Sequence, residues 1–334
     1  MGGKLKIGAV EIAGRVWIAP MTGVSDLPFR RIAAGLGASY VATEMVACAQ
    51  FAQNRPDVVR RAAVGAGLPL MVVQLVGREA KWIAKGARLA VRAGADIVDL
   101  NFGCPAKEVT GHLSGSALMR DLDLAQALVA AAVEAVDAPV TVKMRLGWDD
   151  DTRNASELAA RAQAAGAAAV TVHGRTRRQF YAGVADWNAV RTVKGAVTIP
   201  VLVNGDVVDA ASARAALAAS GADGVMIGRG ATGRPWLAAA IEAHLDGRPF
   251  SEPDARERLH IVCEHLAASV GFYGEMLGVR MFRKHLAAYI AAAPGLEPEA
   301  RRAARADLCR LEAPRDIRTA LGALWLSPSS RLAA

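Results

Sequence analysis

Cysteine is scarce in this sequence of 334 residues. The four cysteines, Cys48, Cys104, Cys263 and Cys309, lie tens of residues apart and form no Cys-x-x-Cys pair. Structural zinc sites, iron–sulfur clusters and disulfide frameworks need cysteines at closer or paired spacings. The sequence therefore argues against all three kinds of site, and we expect no metal.

Long apolar runs are also missing. No stretch reaches the roughly 18 uninterrupted apolar residues that indicate a membrane-spanning helix. The segment from Met1 to Lys6 lacks the apolar centre of a secretory signal peptide, and Lys6 occupies a position where myristoylation requires Ser or Thr. We expect a cytoplasmic protein that makes no membrane contact.

Aromatic residues are few, at 5% of the chain, and charged residues make up 22%. The hydrophobic share of 53% excludes a disordered protein, and its large alanine component predicts helices that pack closely through small side chains. The formal net charge is +8. A positive field of this size favours a polyanionic partner such as nucleic acid.

Short runs rich in Val and Ile recur through the first two thirds of the chain, separated by Ala- and Leu-rich stretches with helical spacing. Runs that are apolar on both faces and alternate with helices are typical of a parallel (β/α)8 TIM barrel, and a doubly wound open sheet is the alternative. The sequence favours the barrel because it contains eight such runs. They are residues 16–19, 40–43, 70–75, 97–100, 140–144, 169–172, 201–203 and 225–227.

The alternation stops at a segment rich in Gly, Pro and charged residues, 246–253. No strand-like run follows it. The sequence predicts a barrel domain over residues 1–245 and a C-terminal helical domain over residues 246–334.

Polar and charged residues follow most of the predicted strands. In a (β/α)8 barrel the active site is built at the carboxyl ends of the strands, so we expect these side chains to meet in one pocket. The candidates are Pro20-Met21-Thr22, Glu44-Met45, Gln74, Asn101, Cys104, Lys143, Arg145, His173, Arg175, Asn204-Gly205-Asp206 and Gly228-Arg229-Gly230.

Two of these candidates are poor core residues. Lys143 interrupts the apolar run 140–144, where an unpaired ammonium would be costly to bury. Cys104 lies between Gly103, which frees the backbone, and Pro105, which stiffens it. A cysteine held in this way could be a nucleophile, a metal ligand, a redox sensor or an acid.

The segment Gly228–Gly233 matches the pattern Gly-x-Gly-x-x-Gly of dinucleotide-binding domains. However, it ends the series of strands, and no further strand follows to supply the acidic residue that binds a ribose. It is better explained as the phosphate cradle that barrels build after strands seven and eight. The predicted ligand is therefore a mononucleotide such as FMN.

Taken together, five ordered motifs resemble the tRNA-dihydrouridine synthases, and they are most similar to the bacterial B-type group. The resemblance implies an FMN-dependent barrel and a helical tRNA-binding domain. It also implies that NADPH drives reduction of the C5=C6 bond of a D-loop uridine in tRNA, at position 17. The motifs are Asn101–Lys107, Val142–Arg145, His173–Arg177, Asn204–Asp206 and Met226–Arg229, and Arg283-Lys284-His285 also matches the family pattern.

The resemblance further implies roles for individual residues. Cys104 is the expected proton donor to C5, with hydride passing from reduced FMN to C6, and Asn101 is the expected uracil ligand. A thiol with an ordinary pKa near 8.5 stays protonated at neutral pH, which suits a general acid. The residues implied to hold the flavin are Ala19, Pro20, Met21, Gln74, Lys143, Asn204, Gly205, Asp206, Gly228 and Arg229, and we expect His173 to line the same site.

The catalytic loop departs from the B-type pattern, since Phe102, Glu108 and Gly111-His112 make it less basic. We expect the arginines after strand six, Arg175, Arg177 and Arg178, to contact tRNA instead. A monomer is expected. The alternatives are a dihydroorotate-oxidase-like barrel acting on a free pyrimidine and a non-catalytic tRNA-binding protein.

Overall fold

The structure, a computed structural model, describes residues 3–65 and 68–326. Its strands are β1 (Leu5–Ile7), β2 (Val10–Ile12), β3 (Val16–Ile18), β4 (Val46–Ala47), β5 (Val72–Val76), β6 (Ile97–Phe102), β7 (Val140–Arg145), β8 (Ala169–His173), β9 (Val201–Asn204) and β10 (Gly224–Ile227). Its helices are α1 (Leu27–Gly35), α2 (Cys48–Ala52), α3 (Pro56–Arg61), α4 (Ala80–Arg92), α5 (Lys107–Thr110), α6 (Leu122–Val133), α7 (Ala155–Ala164), α8 (Trp187–Ala196), α9 (Ala210–Ser220), α10 (Leu237–Leu245), α11 (Ala255–Tyr273), α12 (Glu275–Ala291), α13 (Pro298–Leu308) and α14 (Pro314–Leu326). Gly115–Arg120 and Arg229–Ala231 form short 3-10 helices.

The parallel sheet has the strand order β3-β10-β9-β8-β7-β6-β5-β4. Two single bridges, Ile18 to Val41 and Ala42 to Val72, join the edges of this sheet and close it into a barrel. The predicted (β/α)8 barrel is confirmed, and most of the predicted runs match the strands closely. The predicted run 40–43 does not form a strand, because only Val41 and Ala42 pair, each through one of these single bridges.

The antiparallel hairpin of β1 and β2 is not among the predicted strands. Each strand has three residues, and in each only one side chain is fully buried, so the apolar signal is too short to recognise. These side chains, Ile7 and Ile12, belong to the core cluster inside the barrel with Trp17 and Tyr40, whose rings stack 4.0 Å apart. The hairpin thus fills the barrel end opposite the carboxyl ends of the strands.

Helix α4 shows how the alanine-rich helices pack. It buries Ile83, Gly86, Ala87 and Ala90, which lie three and four residues apart and therefore share one helical face. A Cβ atom at Gly86 would lie 2.8 Å from the Sγ atom of Cys48, so the close approach of α4 to its neighbour requires a glycine there. The other face of α4 is exposed to solvent.

Helices α11 to α14 have a hydrophobic core of their own, built from residues such as Leu266, Phe282 and Leu321. Ile32 of α1 and Trp236, which precedes α10, belong to the same cluster, so the helices pack directly against the barrel. The predicted C-terminal helices are present; residues 327–334 of that predicted domain lie outside the described residues. No helix in the described ranges is long and apolar enough to span a bilayer.

Two buried histidines lie where α11 and α12 meet α1. The His265 and His285 rings lie 4.4 Å apart, and His285 stacks on Phe29 at 5.7 Å. The Nδ1 atom of His265 lies 3.1 Å from the hydroxyl oxygen of Tyr289. Burial lowers the pKa of His265 to about 3, and burial also lowers the pKa of His285 well below its ordinary value. Both rings are therefore neutral in the folded protein.

These histidines predict a loss of stability in acid. The unfolded chain protonates each histidine below about pH 6.5 and the folded chain does not, so each contributes about 1 kcal/mol of lost stability between pH 7.5 and pH 5.5. Asp26, whose pKa burial raises to about 6, opposes this loss in part. Thermal denaturation should show a smaller acid-induced fall in Tm for His265→Phe than for the wild type. The control His260→Gln, at an exposed position on α11, should keep the wild-type fall.

Candidate active site

The carboxyl ends of the barrel strands surround a cavity of about 950 Å³. Enzyme ligand pockets commonly have volumes of ~300–1,000 Å³. The cavity brings together every residue predicted to bind the cofactor or to act in catalysis. These are Ala19, Pro20, Met21, Gln74, Asn101, Cys104, Lys143, His173, Asn204, Gly205, Asp206, Gly228 and Arg229.

A chain of side-chain hydrogen bonds runs across three strands to the cysteine loop. The Thr141 hydroxyl and the Gln74 amide each donate to the Asp99 carboxylate, at 2.6 Å. Asn101 Nδ2 donates to Gln74 Oε1 at 2.7 Å, and the Cys104 backbone N–H donates to Asn101 Oδ1 at 2.8 Å. Because an ionised carboxylate only accepts, Asp99 fixes which way both amides point. One N–H of Asn101 has no part in this chain and can serve a ligand.

Asp99 was not predicted as a site residue, because the sequence shows it only as a polar residue inside the run 97–100. It is 3% exposed, and burial raises its pKa to about 6, against hydrogen bonds from Thr141 and Gln74 that lower it. Asp99 is therefore mostly ionised at neutral pH. Its negative charge also favours the ammonium form of Lys143.

Lys143 provides a positive charge at the cavity wall. Its Nζ atom donates to Asn204 Oδ1 at 3.1 Å, and Asn204 Nδ2 in turn donates to the Met226 carbonyl at 2.7 Å. Burial, followed by the neighbouring charge of Arg145, lowers the pKa of Lys143 to about 8. The side chain is thus charged at neutral pH, but it can lose its proton in mildly basic solution.

Cys104 lies half-buried at the cavity wall, in a loop that is held from two sides. The Ser116 hydroxyl donates to the Cys104 carbonyl at 2.8 Å. Gly115 has φ +60°, and a Cβ atom there would lie 2.9 Å from the same carbonyl, so the contact requires glycine. Burial raises the pKa of the Cys104 thiol above its ordinary value, which keeps the thiol protonated at neutral pH.

His173 is buried at the same cavity. Burial, together with the positive charges of Lys143, Arg145 and other arginines nearby, lowers the pKa of His173 well below its ordinary value. Its Nε2 atom lies 3.4 Å from Nη1 of Arg175, which can only donate, so Nε2 is the acceptor nitrogen. His173 therefore presents a neutral imidazole.

Arg145 joins the cysteine loop to the loop that follows β8. Its Nε atom donates to the Gly103 carbonyl at 2.8 Å, and its Nη1 atom donates to the carbonyls of Thr176 and Phe180, both at 2.9 Å. The guanidinium is buried and lies 5.6 Å from the ring of Tyr181. It therefore sets the distance between two loops that line the cavity.

We expect Arg145→Lys to be destabilising and to slow catalysis, because a single ammonium cannot serve three carbonyls in this geometry. Each buried carbonyl left without a donor costs about 1–3 kcal/mol. Thermal denaturation and turnover assays measure the two effects. The control Arg214→Lys, at an exposed position on α9, should match the wild type. A fully active, fully stable Arg145→Lys protein would show that these loops need no such link.

The three arginines predicted to contact tRNA occupy different environments. Arg175 is buried and forms an ion pair with Asp206, with Nη2 to Oδ2 at 2.6 Å, and it donates to the Ala182 and Gly183 carbonyls. Arg177 is half-buried, 4.7 Å from the Trp148 ring. Only Arg178 of the three has a side chain largely in solvent, at 68% exposure. Arg175 thus orders the loop around Asp206.

Two aromatic residues at the cavity, Phe180 and Tyr181, were missed by the sequence analysis. Tyr181 is 53% exposed, and the guanidinium of Arg229 lies 5.1 Å from its ring centre. Phe180 has φ +51° and is also exposed. Aromatic residues are so few in this chain that a neighbouring pair in a loop was a usable signal. Their position suits contact with a planar ring.

The cavity has room and positive charge for an anionic cofactor of the size of a flavin. Gly228 adds no side chain to the cavity wall. A Cβ atom there would take up space within the cavity, 3.9 Å from Met21 Sδ and 4.0 Å from Ala19 Cβ. Gly205 has φ +114° and lies against His173, so no larger residue fits. The ammonium of Lys143 and the exposed guanidinium of Arg229 supply positive charge for an anionic ligand.

Comparison with known proteins identifies the family of this chain. A family model described as Dihydrouridine synthase matches residues 17–311. The chain belongs to the dihydrouridine synthase family. The "Probable tRNA-dihydrouridine synthase" of Rhodobacter capsulatus is 51% identical over 90% of this chain and 93% of its own length. "tRNA-dihydrouridine synthase B" of Pseudomonas putida is 43% identical over 87% of each chain.

A solved structure of morphinone reductase is similar in fold to this member of the dihydrouridine synthase family. The TM-score is 0.54 at 18% identity, covering 76% of this chain and 91% of that one. This likeness supports the barrel. The family predicted from the motifs is confirmed, and the family model extends through α11, α12 and α13.

Proposed function

We propose that this protein is a flavin-dependent tRNA-dihydrouridine synthase, which reduces the C5=C6 bond of a D-loop uridine in tRNA. The observation that carries the proposal is the placement of Cys104. Its protonated thiol lies at the wall of a flavin-sized cavity, and hydrogen bonds from Asn101 back to Asp99 fix the loop that holds it. Family membership supports the same reaction.

When bound, reduced FMN supplies the hydride for C6 of the uracil. Gln74, Lys143, Asn204 and the segment Gly228-Arg229 hold the cofactor, and NADPH is the proposed reductant. Lys143 stabilises negative charge at the cofactor-binding wall through its ammonium group. Ala19, Pro20, Met21, His173 and Gly205-Asp206 complete the flavin-binding set.

Cys104 donates its proton to C5 of the uracil. The reaction adds one hydride and one proton across the double bond. Cys104 is left as a thiolate, which solvent reprotonates. The raised pKa of Cys104 keeps the acid in its protonated form before each turnover. Asn101 donates its remaining N–H to a uracil carbonyl, which holds the ring beside the thiol.

The tRNA has to present its uridine outside the base stack, because a base that stays stacked in the tRNA cannot enter the cavity beside Cys104. We propose that the barrel domain over residues 1–245 does the chemistry and that the C-terminal domain predicted over residues 246–334 orients the tRNA through its helices α11 to α14. Lys284 of α12 supports this role, because its Nζ atom lies next to Gly23, 2.7 Å from the position that a Cβ atom would take there. Gly23 follows the cavity residue Thr22 in the chain.

Of the three arginines that follow β8, Arg178 is proposed to contact phosphate, and Arg175 and Arg177 are proposed to order the loop. The proposal also includes that the protein is a monomer, that it acts in the cytoplasm, and that the reduced uridine is at position 17 of the tRNA.

The test is a reaction of the purified holoenzyme with an unmodified tRNA transcript and NADPH under anaerobic conditions. Nucleoside mass spectrometry should detect dihydrouridine, with consumption of NADPH in equal amount. A parallel reaction supplies dihydroorotate and an electron acceptor. Turnover of dihydroorotate with no change in the tRNA would refute the proposal in favour of a free-pyrimidine enzyme.

A further inference from the structure

A row of five cations begins just before α4 and continues along its outer face, and it is defined here as the α4 basic row: Arg78, Lys81, Lys85, Arg88 and Arg92. The four members on α4 are three or four residues apart, so they form a single stripe along the helix. All five side chains are exposed, whereas the opposite face of α4 packs on the barrel. A shallow groove of about 400 Å³ runs along the last four members and Trp82.

The α4 basic row differs from cations such as Arg161 and Lys194 elsewhere on the barrel surface, which have carboxylate partners. Arg161 forms ion pairs with Asp123 and Glu157, and Lys194 pairs with Asp223. In the row, within the described part of the chain, only Lys81 has a carboxylate partner, the neighbouring Glu79 at 3.0 Å. The row is therefore a patch of largely uncompensated positive charge.

Helix stability does not explain the row. Like charges three or four residues apart repel one another, and Lys81 lies in the first helical turn, where the helix dipole disfavours a cation. Lys81 and Lys85 also lie over the ring of half-buried Trp82, with their Nζ atoms 5.2 and 5.8 Å from the ring centre. The ring thus gathers two ammonium groups that would otherwise separate. An anionic ligand would relieve the repulsion.

The row starts at the catalytic end of the barrel. Helix α4 follows β5, whose Gln74 lines the cavity, so Arg78 and Lys81 lie at the end of the barrel where the cavity opens. From there α4 continues for 13 residues, or about 20 Å, along the outer wall. A strand of nucleic acid whose base enters the cavity can therefore extend over the row.

We propose that the α4 basic row binds the sugar–phosphate backbone of the tRNA whose uridine occupies the cavity. This inference rests on the proposed function. Charge complementarity identifies the partner, because a line of exposed Lys and Arg matches a line of phosphates and needs no base-specific contact. The row is a second contact surface, separate from the helices α11 to α14. The row also supplies positive charge for tRNA binding, and the loop of Cys104 carries less of this charge than the B-type pattern does.

The experiment compares the holoenzyme with a double variant, Lys85→Gln/Arg88→Gln, in equilibrium binding of an unmodified tRNA transcript between 50 and 200 mM KCl. The control, Lys6→Gln/Arg214→Gln, also removes two exposed charges, from β1 and from α9 on the opposite side of the barrel. The variant should bind tRNA at least about 10-fold more weakly at 150 mM KCl, and its log–log salt slope should be shallower by about 1–2. The control should stay within about twofold.

Other readouts separate binding from folding and from chemistry. The row variant should keep its FMN content, its rate of FMN reduction by NADPH and its kcat at saturating tRNA, with only KM raised. Its Tm should be unchanged or higher, because repulsion has been removed. If the double variant fails to fold, the single substitutions should each give part of the loss of affinity.

Equal binding by the row variant and the control would overturn the inference. Loss of binding to phosphatidylserine vesicles with full retention of tRNA affinity would also overturn it, in favour of a membrane surface. A wild-type enzyme that binds tRNA through the row but forms no dihydrouridine would refute the proposed function and leave the row as an RNA-binding surface.

Discussion

Replacing Cys104 by alanine should lower the rate of dihydrouridine formation by roughly 10²- to 10⁴-fold, the usual contribution of a positioned general acid. The thiol is the proposed source of the proton at C5, and its raised pKa keeps that proton in place at neutral pH. Binding of FMN and its reduction by NADPH should be unchanged, since neither needs an acid at C5. Single-turnover oxidation of the reduced enzyme by tRNA measures the step directly.

Cys263→Ala is the matched control for this experiment. Cys263 lies half-buried on α11, away from the cavity residues, and its loss should leave the rate unchanged. Near wild-type dihydrouridine formation by Cys104→Ala with its flavin bound would show that another group supplies the proton. The Asp99 to Asn101 chain would then serve only to hold the loop.

Replacing Lys143 by methionine should slow reduction of bound FMN by NADPH roughly 10²- to 10³-fold, as removal of one preorganised charge at a reaction centre usually does. Methionine keeps the unbranched side chain at one atom shorter and removes the ammonium and its bond to Asn204 Oδ1. Stopped-flow absorbance at saturating NADPH gives the rate, and flavin content is measured separately. Lys6→Met, on the hairpin at the other end of the barrel, is the control.

The pH dependence gives a second readout of the same role. The pKa of Lys143 is lowered to about 8, so the ammonium is present below that pH and is lost as the pH rises through it. The wild-type rate of flavin reduction should therefore fall above about pH 8, and Lys143→Met should lack this fall. An unchanged rate and an unchanged pH profile in Lys143→Met would exclude the electrostatic role.

The residues of the candidate site could be predicted because the barrel has a simple rule. Parallel strands end on the same side, so Gln74, Asn101, Lys143 and Asn204 had to converge once their runs were recognised as neighbouring strands. The position of each run in the chain was sufficient, and no knowledge of strand register was needed.

The connections between those residues depend on register, which the sequence does not reveal. Asp99 pairs directly with Gln74 on β5 and with Thr141 on β7, and this pairing allows both to donate to one carboxylate. A shift of one residue would turn Asp99 to the helix-facing side of the sheet. The sequence alone therefore showed Asp99 only as an irregularity in an apolar run.

Whether each arginine is buried or exposed could not be predicted from the sequence either. Arg175 and Arg178 look alike in a basic stretch, but Arg175 turns inward to Asp206, 31 residues further along the chain. Asp206 follows β9, the neighbour of β8, so this ion pair exists only because the two strands are adjacent. Arg178 remains at the surface, near Asp149. The same residue type thus positions a loop in one case and faces solvent in the other.

A map of dihydrouridine in tRNA from cells that lack this protein tests the proposed reaction in the cell. We expect dihydrouridine to disappear at a D-loop uridine, position 17, the wild-type protein to restore it, and Cys104→Ala not to restore it. An unchanged dihydrouridine pattern in tRNA from the deletion strain would contradict the proposed reaction.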